Sequence, residues 1–100
     1  MENLIRLSRS VIGEKEIDAV NRVLKIGFLG MGKEVGEFED ELANFINGNV
    51  EVVCVNTGTS ALHLALQACN IGRGDEVLVP TLTYVSSFQA ISATGATPVA

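Results

Sequence analysis

Val50-Glu51-Val52-Val53-Cys54-Val55, then Asn56-Thr57-Gly58-Thr59-Ser60, then Ala61-Leu62-His63-Leu64-Ala65-Leu66, is the stretch that decides the fold. The opening run is rich in β-branched residues and reads as a strand. Asn56 to Ser60 is turn and cap chemistry. Ala61 to Asn70, dominated by Ala, Leu and Gln, reads as a helix closed by Ile71-Gly72. Downstream, Gly74-Asp75 marks a turn, and Glu76 to Val79 a second strand halted by Pro80. Ser86 to Thr94 is a short helix, and Pro98-Val99-Ala100 the start of a third strand. Strands alternating with helices imply an α/β fold with a largely parallel sheet and right-handed crossovers. A chain that stops on a strand just begun is expected to be part of a longer one.

Upstream the pattern is helical. Glu14 to Lys25 places Ile17, Val20, Val23 and Leu24 at helical spacing, and Gly27 is a C-terminal stop. Lys33 to Asn47 repeats this with Val35, Phe38, Leu42, Phe45 and Ile46 and ends at Gly48. The expected organisation is a helical segment over 1–48 and the first part of an α/β domain over 49–100. No repeat or low-complexity tract interrupts it.

Composition narrows the class. With 100 residues, 47% hydrophobic and 19% charged, the chain is expected to collapse around a core rather than stay disordered. The net charge is −5 and the Lys and Arg residues are scattered, so no basic face for nucleic acid is present. Cys54 and Cys69 lie in apolar runs and are expected to be buried, reduced thiols of a cytoplasmic protein. Met1-Glu2-Asn3 carries an acid and no long apolar stretch follows, so neither a secretory signal nor a membrane span is expected.

Two segments could carry chemistry. At Asn56–Leu62 a strand ends, Gly58 allows a sharp turn and hydroxyl residues open a helix. Unpaired N–H groups and the helix dipole favour an anion there, and Thr59 and Ser60 could add hydroxyl donors to a phosphate. The alternative is that Thr59 or Ser60 is simply an N-cap. The stretch lacks the Lys of a P-loop, which argues against a nucleoside triphosphate. At Pro80–Val85, Tyr84 follows a strand and is expected on the same rim of a parallel sheet. It could stack on a flat heterocycle or merely cover the end of the core.

Other features read as structure. Gly30-Met31-Gly32-Lys33-Glu34-Val35-Gly36 mimics a dinucleotide fingerprint, but a helix rather than a strand precedes it, so it reads as a helix-to-helix turn. His63, the only histidine, reads as a core or boundary residue rather than a metal ligand or general base. Glu34, Glu37, Glu39, Asp40 and Glu41 fall mostly opposite the apolar stripe and read as a solvated face.

Taken in order, these segments resemble the DegT/DnrJ/EryC1/StrS family of sugar aminotransferases. Ser8-Arg9-Ser10 with Ile12-Gly13-Glu14-Lys15-Glu16-Ile17 resembles its opening strand and helix, and Gly32-Lys33-Glu34-Val35 with Phe38-Glu39 its second helix. Asn56 to Leu66 resembles its phosphate turn. Gly74-Asp75-Glu76-Val77, Pro80, Thr83-Tyr84-Val85 and Gly95-Ala96-Thr97-Pro98-Val99 complete the series. The resemblance implies the N-terminal part of the large domain of a fold-type-I pyridoxal-phosphate enzyme, with two helices and then β-α-β-α-β. It implies a cytoplasmic homodimer moving an amino group, commonly from glutamate, to a nucleotide-linked keto sugar. Products of that kind serve cell-surface polysaccharide or deoxyamino-sugar synthesis.

By the same resemblance, Gly58, Thr59 and Ser60 hold the phosphate of pyridoxal 5′-phosphate and Tyr84 stacks on its pyridine ring. Gln89 stands where Asn is common and would reach the cofactor with a longer arm. Gly27, Phe28, Leu29 and Gly30 match a turn that meets the sugar, with Gly30 in place of a frequent hydroxyl residue, and Ser10 replaces a frequent Pro. The Schiff-base lysine is expected beyond Ala100, since Lys15, Lys25 and Lys33 sit on or beside early helices. No catalytic residue is therefore expected within the chain, and residues 1–100 alone are expected to be inactive. Dehydratases of the same family, with histidine for that lysine, and a non-catalytic α/β fragment are the competing readings.

Overall fold

The computed structural model describes residues 7–100. The reading of Met1-Glu2-Asn3 lies outside the described residues. The elements are α1 (Glu14–Ile26), α2 (Lys33–Ile46), α3 (Gly58–Ala68), β1 (Glu76–Leu78), α4 (Ser86–Thr94) and β2 (Thr97–Val99).

Local chemistry sets the ends of the first two helices. The Glu16 carboxylate turns back to accept the Gly13 N–H at 2.7 Å, satisfying a donor at the start of α1. Gly27 ends α1 in the left-handed region, φ 77°, with its N–H bonded to the Val23 carbonyl. After α2, the Gly48 N–H reaches back to the Ala43 carbonyl at 2.8 Å, with Gly48 at φ 72°. The turn over residues 27–32 joins two helices, so the glycines there are not a dinucleotide fingerprint. An Arg22–Glu34 ion pair at 3.1 Å spans it.

The second half departs from expectation in one element. Val50–Val55 forms no strand, and the order is α-β-α-β rather than β-α-β-α-β. A strand exists only through a neighbour that takes up its N–H and C=O groups. No described residue offers such a ladder here, and the Cys54 N–H goes instead to the Glu39 carboxylate at 2.6 Å. The other two strands do pair, in parallel, with Val77 opposite Pro98. Val79 N–H to Val99 O at 2.8 Å and Thr97 N–H to Asp75 O at 2.9 Å extend the ladder at either end. The helix α4 crosses between them, the βαβ arrangement that the alternation implied.

The core is small and lies under that unit. Val79, Ala90, Ile91 and Ala96 are buried, with Leu66, Ile71, Val77 and Phe88 packed around Val79, Ile91 and Ala96. Neither α1, α2 nor α3 buries a residue completely. The cysteines are both free, but the expectation that they are buried fails: Cys54 is half-buried and Cys69 exposed. Cys69 caps the end of α3, a helix that buries none of its residues. Among the described residues no helix is long and apolar enough to cross a membrane, and no group of side chains could hold a metal ion.

Candidate functional site

The start of α3 is built by Thr57, not by the residues after it. The helix begins at Gly58, three residues before the expected Ala61, and Thr57 is its N-cap. Its Oγ1 accepts the Ser60 N–H at 3.0 Å and lies 2.9 Å from Ser60 Oγ. The Ser60 hydroxyl donates to Asn56 Oδ1 at 2.9 Å. The capping alternative for Thr59 and Ser60 is thereby corrected: both sit inside the first turn. The Asn56-Thr57 pair ahead of the helix carried this signal, because Thr is a favoured cap.

Two donors of that first turn are left over. The Ser60 N–H goes to Thr57 Oγ1 and the Ala61 N–H to the Thr57 carbonyl. The Gly58 and Thr59 N–H groups have no acceptor among the described residues. Gly58 does not adopt a positive φ, so no sharp left-handed turn requires it. A Cβ there would meet nothing within 4 Å, so the glycine leaves the face beside the free donors bare. Two backbone donors, the Thr59 hydroxyl and the positive end of a helix dipole make this turn fit a phosphate.

Tyr84 lies in the loop between β1 and α4 and is 77% exposed, so it does not cover the core. Its carbonyl accepts the Ser87 N–H at 3.1 Å, while Thr83 Oγ1 lies 3.1 Å from Ser87 Oγ. The ring is thus free to stack beside the start of α4. Gln89 is exposed on α4. An apolar groove of about 220 Å³ runs between the two helices, with Leu62 of α3 on one side and Pro80 and Ser87 on the other. None of Gly58, Thr59, Ser60, Tyr84 and Gln89 lines this groove, and Tyr84 and Gln89 share no hydrogen bond with Thr59 or Ser60.

The 27–30 turn forms a separate place. Phe28, Leu29 and Gly30 line an open, largely apolar cavity of about 360 Å³ between the end of α1 and the start of α2. Gly27 does not line it; it is the C-cap of α1. The Phe28 ring lies over Gly32, where an added Cβ would come within 2.7 Å of it. No described cavity joins this turn to the start of α3.

His63 is partly exposed, a boundary position as its sequence context suggested. Its Nε2 is shielded from solvent and has no partner among the described residues.

Residues 10–100 match the DegT/DnrJ/EryC1/StrS aminotransferase family. The chain belongs to that family. A relative from Saccharopolyspora spinosa, dTDP-4-dehydro-2,3,6-trideoxy-D-glucose 4-aminotransferase, is 36% identical over 97 residues, covering 96% of this chain and 25% of the relative. The solved DesV of S. venezuelae is 49% identical with a TM-score of 0.73, over 85% of this chain and 23% of that one. Spr1654 of Streptococcus pneumoniae, described as a sugar aminotransferase, is 39% identical with a TM-score of 0.83, over 95% of this chain and 24% of its own. It has been solved in apo, PMP and PLP forms. The chain therefore spans about a quarter of the length of these DegT/DnrJ/EryC1/StrS relatives.

Proposed function

We propose that the protein is a pyridoxal 5′-phosphate-dependent sugar aminotransferase, moving an amino group from glutamate to a nucleotide-linked keto sugar. The observation that carries this is the open first turn of α3, with free Gly58 and Thr59 N–H donors, in a chain of this family. Gly58 and Thr59 hold the cofactor phosphate, joined by Ser60 when its hydroxyl turns from Asn56 Oδ1, the exposed ring of Tyr84 stacks on the pyridine, and Gln89 offers a long polar arm nearby. The Phe28–Gly30 turn receives the sugar, and Gly27 sets its angle. The bound cofactor supplies an electron sink; the residues in this chain bind and orient it. Residues 1–48 are a helical segment ahead of a cofactor-binding α/β domain that begins at 49. The working enzyme is a cytoplasmic homodimer serving polysaccharide or deoxyamino-sugar synthesis, and its reactive lysine lies beyond Ala100.

The test is the absorption spectrum of the full-length protein with pyridoxal phosphate, before and after borohydride. A visible imine band trapped on a lysine, and bleached by glutamate, is expected. Binding without a trappable lysine would favour a dehydratase of the same family. Absence of binding would sink the proposal.

A further inference from the structure

We propose that Glu39 is a positioning residue for the Asn56–Ser60 turn, acting from α2 through the backbone of residues 54–56. Its functional consequence rests on the phosphate reading above.

An extended segment without a paired strand leaves N–H groups in need of acceptors. Glu39, half-buried on α2, takes the Cys54 N–H at 2.6 Å across fifteen positions of sequence. A charged acceptor makes such a bond roughly twice as strong as a neutral one. Two residues further on, Asn56 Oδ1 accepts the Ser60 hydroxyl at 2.9 Å, and the Ser60 N–H is held by Thr57 Oγ1 at 3.0 Å. The α2 carboxylate, the Cys54 backbone, the Asn56 side chain and the first turn of α3 therefore form one connected series. Other acids of α2 are engaged elsewhere or free: Glu34 pairs with Arg22, Glu37 with Lys33, and Asp40 and Glu41 face solvent. Glu39 also adjoins the Cys54 side chain, where partial burial and then the carboxylate's charge and hydrogen bond push the thiol pKa up.

The experiment compares Glu39→Ala and Glu39→Gln in the full-length protein, with pyridoxal phosphate and phosphate-free pyridoxal as probes. Glu39→Ala is expected to weaken pyridoxal phosphate about tenfold, the scale of losing one charge-assisted bond, and pyridoxal much less. It should also speed amide exchange at Cys54 and Val55. Glu39→Gln keeps an acceptor oxygen, so its cofactor affinity should stay within about threefold of wild type. It removes the charge, so Cys54 should alkylate faster. An unchanged affinity in Glu39→Ala, an equal loss for both probes, or unchanged amide exchange at Cys54 in Glu39→Ala overturns the proposal. Failure of the phosphate reading has a different signature: the wild-type protein binds pyridoxal phosphate no better than phosphate-free pyridoxal, while Glu39→Ala still speeds exchange at Cys54.

Discussion

One hydroxyl oxygen, Thr57 Oγ1, organises the opening of α3, because it accepts the Ser60 N–H and touches the Ser60 hydroxyl. Thr57→Ala should lower stability by about 1 kcal/mol, the usual worth of an N-cap, while Thr57→Ser keeps the acceptor and stays near wild type. Urea midpoints of the full-length protein check this; an Ala variant as stable as the Ser variant would remove Thr57 from the role. Cys54 gives a second residue-scale expectation. Burial and the Glu39 carboxylate hold its thiol protonated above the ordinary value of 9.0. At pH 8 it should therefore alkylate more slowly than Cys69, which is exposed at the end of α3. A folded thiol with a raised pKa contributes stability that is complete below the ordinary value and is lost as pH rises through the folded one. Mass-spectrometric alkylation rates from pH 7 to 10 read it directly. Thr57 was missed, since Thr57, Thr59 and Ser60 are all favoured caps by type and only the observed start of α3 at Gly58 selects among them. Nor was Glu39 legible: a helical acid facing water and one reaching a neighbouring backbone N–H occupy the same spacing. Only the fold brings Cys54 beside it.

Among the elements, α1 ends at the glycine expected to stop it, and α4 also ends at a glycine. Gly27 and Gly95 stand in the left-handed region at φ 77° and 88°. Gly27 has open space around it, whereas a Cβ at Gly95 would lie 3.5 Å from the Arg73 backbone. Both Ala substitutions should cost about 1–2 kcal/mol, the price of the left-handed conformation, because a 3.5 Å contact adds no clash. Gly36, inside α2 with nothing within 4 Å of its added Cβ, should behave oppositely. There Gly36→Ala should stabilise by about 0.5–1 kcal/mol. Thermal unfolding of the three variants checks the signs; destabilisation by Gly36→Ala would show that something packs on α2 at that point. Helices were readable because their periodicity and caps are local. The run Val50–Val55 pairs with no strand among the described residues, because β-branched composition states a preference for a sheet, not the presence of a partner strand. Glu76–Leu78 has one, in Thr97–Val99, and is a strand.

At the scale of the whole chain, the area left exposed is the dominant fact. A folded chain of 10.6 kDa is expected to expose about 5,500 Å², and this one exposes 8754 Å². Its radius of gyration is 18.1 Å, against about 13 Å for a compact domain of this length. The excess is apolar: Phe28, Leu29 and Met31 in the turn, Phe38 and Phe45 on α2, and Leu62 and Leu64 on α3 are all exposed. Patches of this extent on a monomer mark surfaces made to be covered. The helical spacing of Val35, Phe38, Leu42 and Phe45 announced such a face, but spacing does not say what covers it. Among the described residues the core lies in the βαβ unit, so the expectation that residues 1–100 collapse around one core of their own fails. Residues 1–100 produced alone should stay expanded, bind a hydrophobic dye strongly, unfold without a sharp transition and turn over no substrate. Small-angle scattering with dye fluorescence decides it. A radius near 18 Å with strong dye binding means that the apolar faces of α1, α2 and α3 require further polypeptide. A radius near 13 Å without dye binding would mean that the chain repacks into an autonomous domain, and the open turn of α3 would then have to be sought again in that packing.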